Sequence, residues 1–252
     1  FVKNINYPKI SIARATVSMY KKLITIVSLI CFSSIASADT IDDLRWISQD
    51  YKPYGFLDNN GKNAGQSIEL VEKIMKKLGS QKNIQDIEIH KFSKWFIRRN
   101  DDKNTVFFPL AKLPAREKYF KWVGPIGMDE PVLYAKKERG IIIRSSDDLK
   151  KYSIATIEGY YAIDELRNLG IDNIQTSDNY ESNISKLNDN KIDLVLCNRL
   201  SCMSAIESLN MNVNDYNIVY SLETHELSMA FNKDTDDNII NQVKMALDSI
   251  NK

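Results

Sequence analysis

Few side chains in this sequence have types and spacings that could do chemistry. Of the three cysteines, Cys31 stands alone, while Cys197 and Cys202 lie close together. In an oxidising compartment such a pair suits a disulfide better than a metal site, with two buried free thiols as the alternative. The two histidines, His90 and His225, are far apart and have no motif around them. No zinc site and no cofactor are therefore expected. The acidic pairs Asp101-Asp102, Asp147-Asp148 and Asp236-Asp237 read as solvated turns or helix starts. With no nucleophile elbow and no carboxylates at catalytic spacing, no catalytic residue is expected and the chain does not read as an enzyme. Arg116, in Pro114-Ala115-Arg116-Glu117, is the charged residue of most interest. A guanidinium can hold a carboxylate through two charge-assisted hydrogen bonds and keeps its charge in a closed site. The plainer reading is a surface arginine in a basic loop with Lys112 and Lys118. Tyr54, Phe56 and Trp95 could present aromatic faces to a ligand's apolar stem or cationic group, or could be ordinary core.

Where such residues would work is set by the N-terminal region. Met19 is followed by Lys21 and Lys22, then by a ten-residue apolar run, Leu23 to Phe32, and by a small-residue stretch ending Ala36-Ser37-Ala38. That is the pattern of a secretory signal peptide. The run is shorter than the about 20 residues a membrane helix needs. The segment 19–38 is thus expected to be a signal peptide, residues 1–18 an upstream extension, and the working protein periplasmic. Ile30 stands where a lipid-attachment motif needs a small residue before Cys31. Residues 1–38 hold five basic side chains and no acidic one, so 29 basic face 33 acidic residues in the remainder. That acidic balance argues against nucleic acid as a partner.

The remaining 214 residues suit one large domain or two small lobes. Ile68, Val71, Ile74 and Leu78 recur at helical spacing, with Ser67 as a candidate cap, Glu69 and Glu72 early, and Lys76, Lys77 and Gly79 late. Strands are expected at 44–48, 84–89, 105–110, 132–136, 153–157, 192–197 and 227–231. Helices are expected at 94–99, from Gly159 to Leu169, at 179–187, and at the C-terminus, where Ile239, Ile240, Val243, Leu247 and Ile250 form a stripe. Strands alternating with helices point to an α/β fold with mainly parallel sheets.

The order of these pieces resembles the family 3 extracellular solute-binding proteins. Four stretches carry the likeness: YKPYGFLDNNGKNAGQSIELVEKIMKKLG (51–79), PLAKLPAREKYFKWVGPI (109–126), SSDDLKKYSIATIEGYY (145–161) and LSMAFNKDTDDNIINQVKMALDSI (227–250). The resemblance implies a two-lobed periplasmic-binding-protein fold of type II with a ligand cleft between lobes. Lobe 1 would be 39–126 plus 222–252 and lobe 2 would be 127–221. It implies a monomer that captures a small polar solute, an amino acid or related carboxylate, for the membrane subunits of an ABC importer.

Carried over residue by residue, Arg116 matches the family arginine that holds the ligand's carboxylate. Tyr54, Phe56 and Trp95 match cleft-wall positions, with Tyr51 at the entry. Gly159 and Tyr160 sit where backbone N–H groups would favour an anion. Two positions depart from the pattern. Leu113 replaces a frequent threonine, and Asn198 stands where such receptors place an aspartate for the ligand's ammonium group. The resemblance also leaves open a periplasmic dehydratase-type enzyme, for which Glu158 is the acid to test, and a ligand sensor without a transport role.

Overall fold

The computed structural model describes residues 39–91 and 102–251. The expected signal peptide, the stretch before it, the expected helix 94–99 and Trp95 lie outside the described residues.

The first half of the chain lays down β1 (Arg45–Gln49), the short β2 (Phe56–Leu57) and β3 (Asn63–Ala64), and helix α1 (Gln66–Lys77). It continues through β4 (Glu88–His90), β5 (Thr105–Ala111), the one-turn helix α2 (Pro114–Glu117) and the long β6 (Phe120–Asp129). The chain then passes to β7 (Pro131–Lys136), α3 (Ser146–Leu149), β8 (Ile154–Ile157), α4 (Ala162–Asn168) and β9 (Ile174–Ser177). After α5 (Tyr180–Asn188) come β10 (Leu194–Asn198), α6 (Arg199–Ser208) and β11 (Tyr216–Ser221). It returns as β12 (His225–Asn232) and closes with α7 (Asp237–Ile250).

Two five-stranded sheets result, in the orders β4-β1-β5-β12-β6 and β11-β7-β10-β8-β9. The expectation of mainly parallel sheets is corrected. Pairing is parallel in β4-β1-β5 and in β10-β8-β9, but β12 runs antiparallel to β5 and β6, and β7 antiparallel to β10 and β11. The antiparallel pairs arise where the chain crosses between sheets, from β6 into β7 and from β11 into β12.

Each sheet has its own core. In the first, Trp46 meets Phe108 and Phe231 edge-on at 5.8 and 6.3 Å, beneath the apolar faces of α1 and α7. Strand β5 is buried along its whole length, which explains its unbroken apolar run. In the second, Leu133, Ile154, Leu166, Ile184 and Leu196 pack together, and Cys197 and Cys202 form a disulfide within this core.

Local chemistry explains where the sequence reading slipped. Residues 84–86 form a 3₁₀ turn rather than strand, because Asn83 accepts from the Gln85 N–H and Asp86 accepts from the Asn83 N–H. Helix α1 is not capped by Ser67, which is buried in its first turn. Gly65 takes the cap position at φ 121°, and the free N–H groups of Gln66 and Ser67 donate to the carbonyls of Pro53 and Tyr54 at 3.0 and 2.9 Å. The helix start therefore pins the aromatic loop 51–55, which is closed on itself by Tyr51 N–H to Gly55 O (2.7 Å) and Tyr54 N–H to Tyr51 O (2.8 Å).

A Cβ at position 65 would collide with the Tyr54 carbonyl oxygen, in a backbone conformation that L side chains rarely adopt. Gly65→Ala should cost about 1–3 kcal/mol in urea unfolding. An unchanged midpoint would show that the loop is not held this way.

Candidate functional site

The edges of the two sheets meet over a small inner cavity of about 30 Å³. Its wall combines Tyr51, Arg116, Asp129, Tyr160 and Tyr161 with apolar Leu110 and Leu227. A wider chamber of about 420 Å³, lined by Lys52, Asp178, Tyr180 and Glu181, shares Asp50, Tyr51 and Ile157 with it. The inner space suits a water or two. The combined cleft reaches the size of small-molecule sites.

Helix α2 sets Arg116. Pro114 begins it with a fixed φ, and the Arg116 N–H donates to Leu113 O at 2.8 Å. The guanidinium donates through one nitrogen to Ala111 O at 3.0 Å and lies 5.8 Å from the centre of the Tyr161 ring. Burial pulls its pKa down to about 10, so it still carries its charge at neutral pH. Among the described residues no carboxylate reaches ion-pair distance of it. Leu113 turns half-buried against the second core.

The sequence reading missed the centre of the site, Asp129. This residue ends β6 and is only 2 % exposed. Tyr51 Oη (3.3 Å), Tyr160 Oη (3.0 Å) and Asn198 Nδ2 (2.7 Å) all donate to its Oδ1. Burial raises its pKa, and the Asn198, Tyr160 and Tyr51 donors oppose that rise. Burial likewise keeps Tyr51 and Tyr160 protonated and able to donate. The buried Tyr161 hydroxyl also acts on this carboxyl group. Asp129 is an acid two residues before Pro131, with no spacing or motif around it by which the sequence marks it.

The other expected site residues divide. Tyr54 stacks on Tyr51 at 5.3 Å and donates to Met128 O (2.9 Å) and more weakly towards Asn198 Oδ1 (3.5 Å). It braces the wall from behind, and burial pushes its pKa up to about 12. Asn198 is engaged at both ends of its amide. Its Oδ1 accepts from the Leu200 and Ser201 N–H groups and caps α6, while Nδ2 holds Asp129. Gly159 turns the chain at φ 79°, and the N–H of Tyr160 closes that turn onto Ile157 O. Tyr160 therefore serves through its phenol rather than its backbone. Phe56 lies off both cavities, with the Lys52 ammonium 5.6 Å from its ring centre.

Direct contacts draw the two sheets' edges together around the cleft. Ser201 Oγ donates to Lys52 O (2.6 Å), Lys52 pairs with Glu181 (3.6 Å), and His225 Nε2 meets Glu165 Oε1 at 3.1 Å. The site thus sets a guanidinium and a carboxylate, unpaired with each other, on the wall of one aromatic cavity.

The family model for bacterial extracellular solute-binding proteins, family 3, matches residues 46–252. No curated protein matches the chain in sequence. Its fold is similar to the arginine-bound form of a truncated ArgBP from T. maritima, at 17% identity and a TM-score of 0.68, covering 82% of this chain and 96% of that one. It is also similar to an ABC uptake transporter substrate-binding protein from Streptococcus pneumoniae with bound histidine, at 17% identity and a TM-score of 0.69, covering 83% and 87%. A histidine kinase sensor domain with similarity to periplasmic binding proteins matches at 16% identity and a TM-score of 0.72, covering 82% and 90%.

Because the folded state raises the Asp129 pKa, it holds this proton more tightly than the unfolded chain does. The associated stability is present below the unfolded value of about 3.9 and is lost as pH rises from there through the folded value. Asp129→Asn keeps an oxygen for the three donors and removes the charge. In urea unfolding across pH, the variant should be more stable than the parent at pH 7 and should lack that part of the decline. A variant less stable at pH 7 would contradict this account of the site.

Proposed function

The chain belongs to the bacterial extracellular solute-binding proteins, family 3, and on that premise we propose that it captures a small carboxylate-bearing solute, an amino acid or close relative, in its cleft. One observation carries the reading: the Arg116 guanidinium lines the cavity, spends a single hydrogen bond on Ala111 O, and has no carboxylate partner among the described residues. A buried fork of N–H donors of this kind is complementary to a planar carboxylate. The structural relatives that hold arginine and histidine support an amino acid as the solute class.

In this reading Arg116 receives the carboxylate and the tyrosine faces enclose the rest of the solute. The crossings at 129–131 and 221–225 act as the hinge. The inner cavity is too small for an amino acid, so the lobes part for entry and close on the ligand, which selects the closed state by touching both. We place the protein in the periplasm, supported by the signal-peptide pattern at 19–38, and its captured solute is handed to an ABC importer. The chain acts by binding rather than by turnover.

Residues 39–252 should show a saturable rise in melting temperature with at least one amino acid in a screen of amino acids and small carboxylates. Arg116→Ala should weaken that ligand at least about 30-fold, the scale of losing one partner of a buried charge pair. Equal affinity in parent and variant would remove Arg116 from the site. Silence from every carboxylate would overturn the proposed function.

A further inference from the structure

We propose that His225 and Glu165 form a proton-sensitive clasp beside the crossing between the two sheets, which positions Tyr161 against Arg116 and tightens the cleft as the histidine gains a proton. The inference rests on the capture reading of the cleft and adds how that cleft is regulated.

The clasp joins the two sides of the molecule. His225 opens β12 in the first sheet, where it pairs in register with Asp129. Glu165 lies in α4, whose buried face packs in the second core. The His225 Nε2 stands 3.1 Å from the Glu165 Oε1. An ionised carboxylate only accepts, so Nε2 carries the hydrogen of this bond and Nδ1 is the nitrogen left to take up a proton. The histidine side chain is 14 % exposed and the glutamate 28 %, so water and salt screen the pair less than they would at the open surface.

Tyr161 links the clasp to the solute. It immediately precedes α4, about one helical turn ahead of Glu165. Its ring meets the His225 ring edge-on at 5.3 Å, and the Arg116 guanidinium lies 5.8 Å from its centre. Its hydroxyl acts on Asp129. A movement of α4 away from His225 therefore carries Tyr161 with it and removes the face against which Arg116 is set.

Protonation of the histidine turns a neutral hydrogen bond into an ion pair, and a histidine exchanges its proton near neutral pH. The other titratable and charged groups around the pair are Glu223 from the crossing, Asp129 from β6 and Tyr161, with Arg116 beyond the Tyr161 ring. Burial holds the Glu165 carboxyl above the usual glutamate value, against the pull of His225. The clasp thus strengthens as pH falls through the histidine range, and loses its charge again in stronger acid when Glu165 takes its own proton.

The test uses residues 39–252 with nitroxide labels at Ile142→Cys and Met245→Cys, exposed positions on the second and first sides. The native Cys197 and Cys202 are bound to each other and take no label. Pulsed electron spin resonance then reads the distance between the two sides in the empty protein. From pH 8 to pH 6 the ratio of closed to open molecules should rise about fivefold in the parent and stay level in His225→Gln and in Glu165→Gln. Glutamine keeps an N–H for Glu165, so His225→Gln should match the parent at pH 8, which a merely structural histidine would not allow. Calorimetry with L-arginine and L-glutamine, whose own charges hold across this window, should show about fivefold tighter binding at pH 6 in the parent and no change in either variant. If neither amino acid binds while the ratio still moves with pH through His225, the clasp stands and the capture reading fails for these solutes. A parent ratio that ignores pH, or one that moves equally in His225→Gln, overturns the clasp whatever binds. A probe that binds with level affinity while the ratio moves removes the link to Tyr161 and Arg116, and so overturns the proposal as well.

Discussion

A carboxylate buried between the two sheets constrains the rest of this site. Withdrawing Asp129 from water is tolerable only if donors surround it, and the three that do so come from separate segments of the chain. Tyr51 arrives on a loop after the first strand of one sheet. Tyr160 arrives on the turn after β8 of the other, and Asn198 at the end of β10. Each must be held from behind. Helix α1 pins the first loop through the Pro53 and Tyr54 carbonyls, Gly159 makes the turn that aims Tyr160, and the cap of α6 fixes Asn198. A single polar group thus dictates backbone geometry at three places far apart in sequence.

Each sheet carries a core of its own. Trp46, Phe108 and Phe231 fill one, and Leu133, Ile154 and Leu196 the other. Tyr51, Tyr54, Ala111 and Leu227 belong to the first sheet's edge and its loop, yet they pack with the second core. The region between sheets therefore combines tyrosine rings and hydrogen bonds with a few aliphatic side chains. Arg116 and Tyr51 approach the cavity from one half, and Tyr160 and Tyr161 from the other.

Much of the fold was legible because its signals are periodic. Ile68, Val71 and Ile74, and likewise Ile239, Val243 and Leu247, lie on single helix faces and are buried as their spacing implies. Helix α6 was missed because its apolar residues do not gather on one stripe, and β9 and β11 because their strands are only partly buried. Strand direction at the crossings is a long-range property with no local pattern. Arg116, singled out from its motif context, and Tyr160, from its neighbouring glycine turn, both line the cavity, where the Tyr160 hydroxyl rather than its N–H meets Asp129. Asp129 was not legible, because an acid in a strand carries no spacing. Only the meeting of β6 with the ends of β8 and β10 shows what surrounds it.

The central claim is that a carboxyl group held by neutral donors is buried between the two sheets. The direct measurement is a carbon-13 NMR titration of the Asp129 carboxyl group in the protein of residues 39–252. It should titrate above the usual aspartate value of about 3.9, because burial disfavours its charged form. An ordinary midpoint would contradict the account.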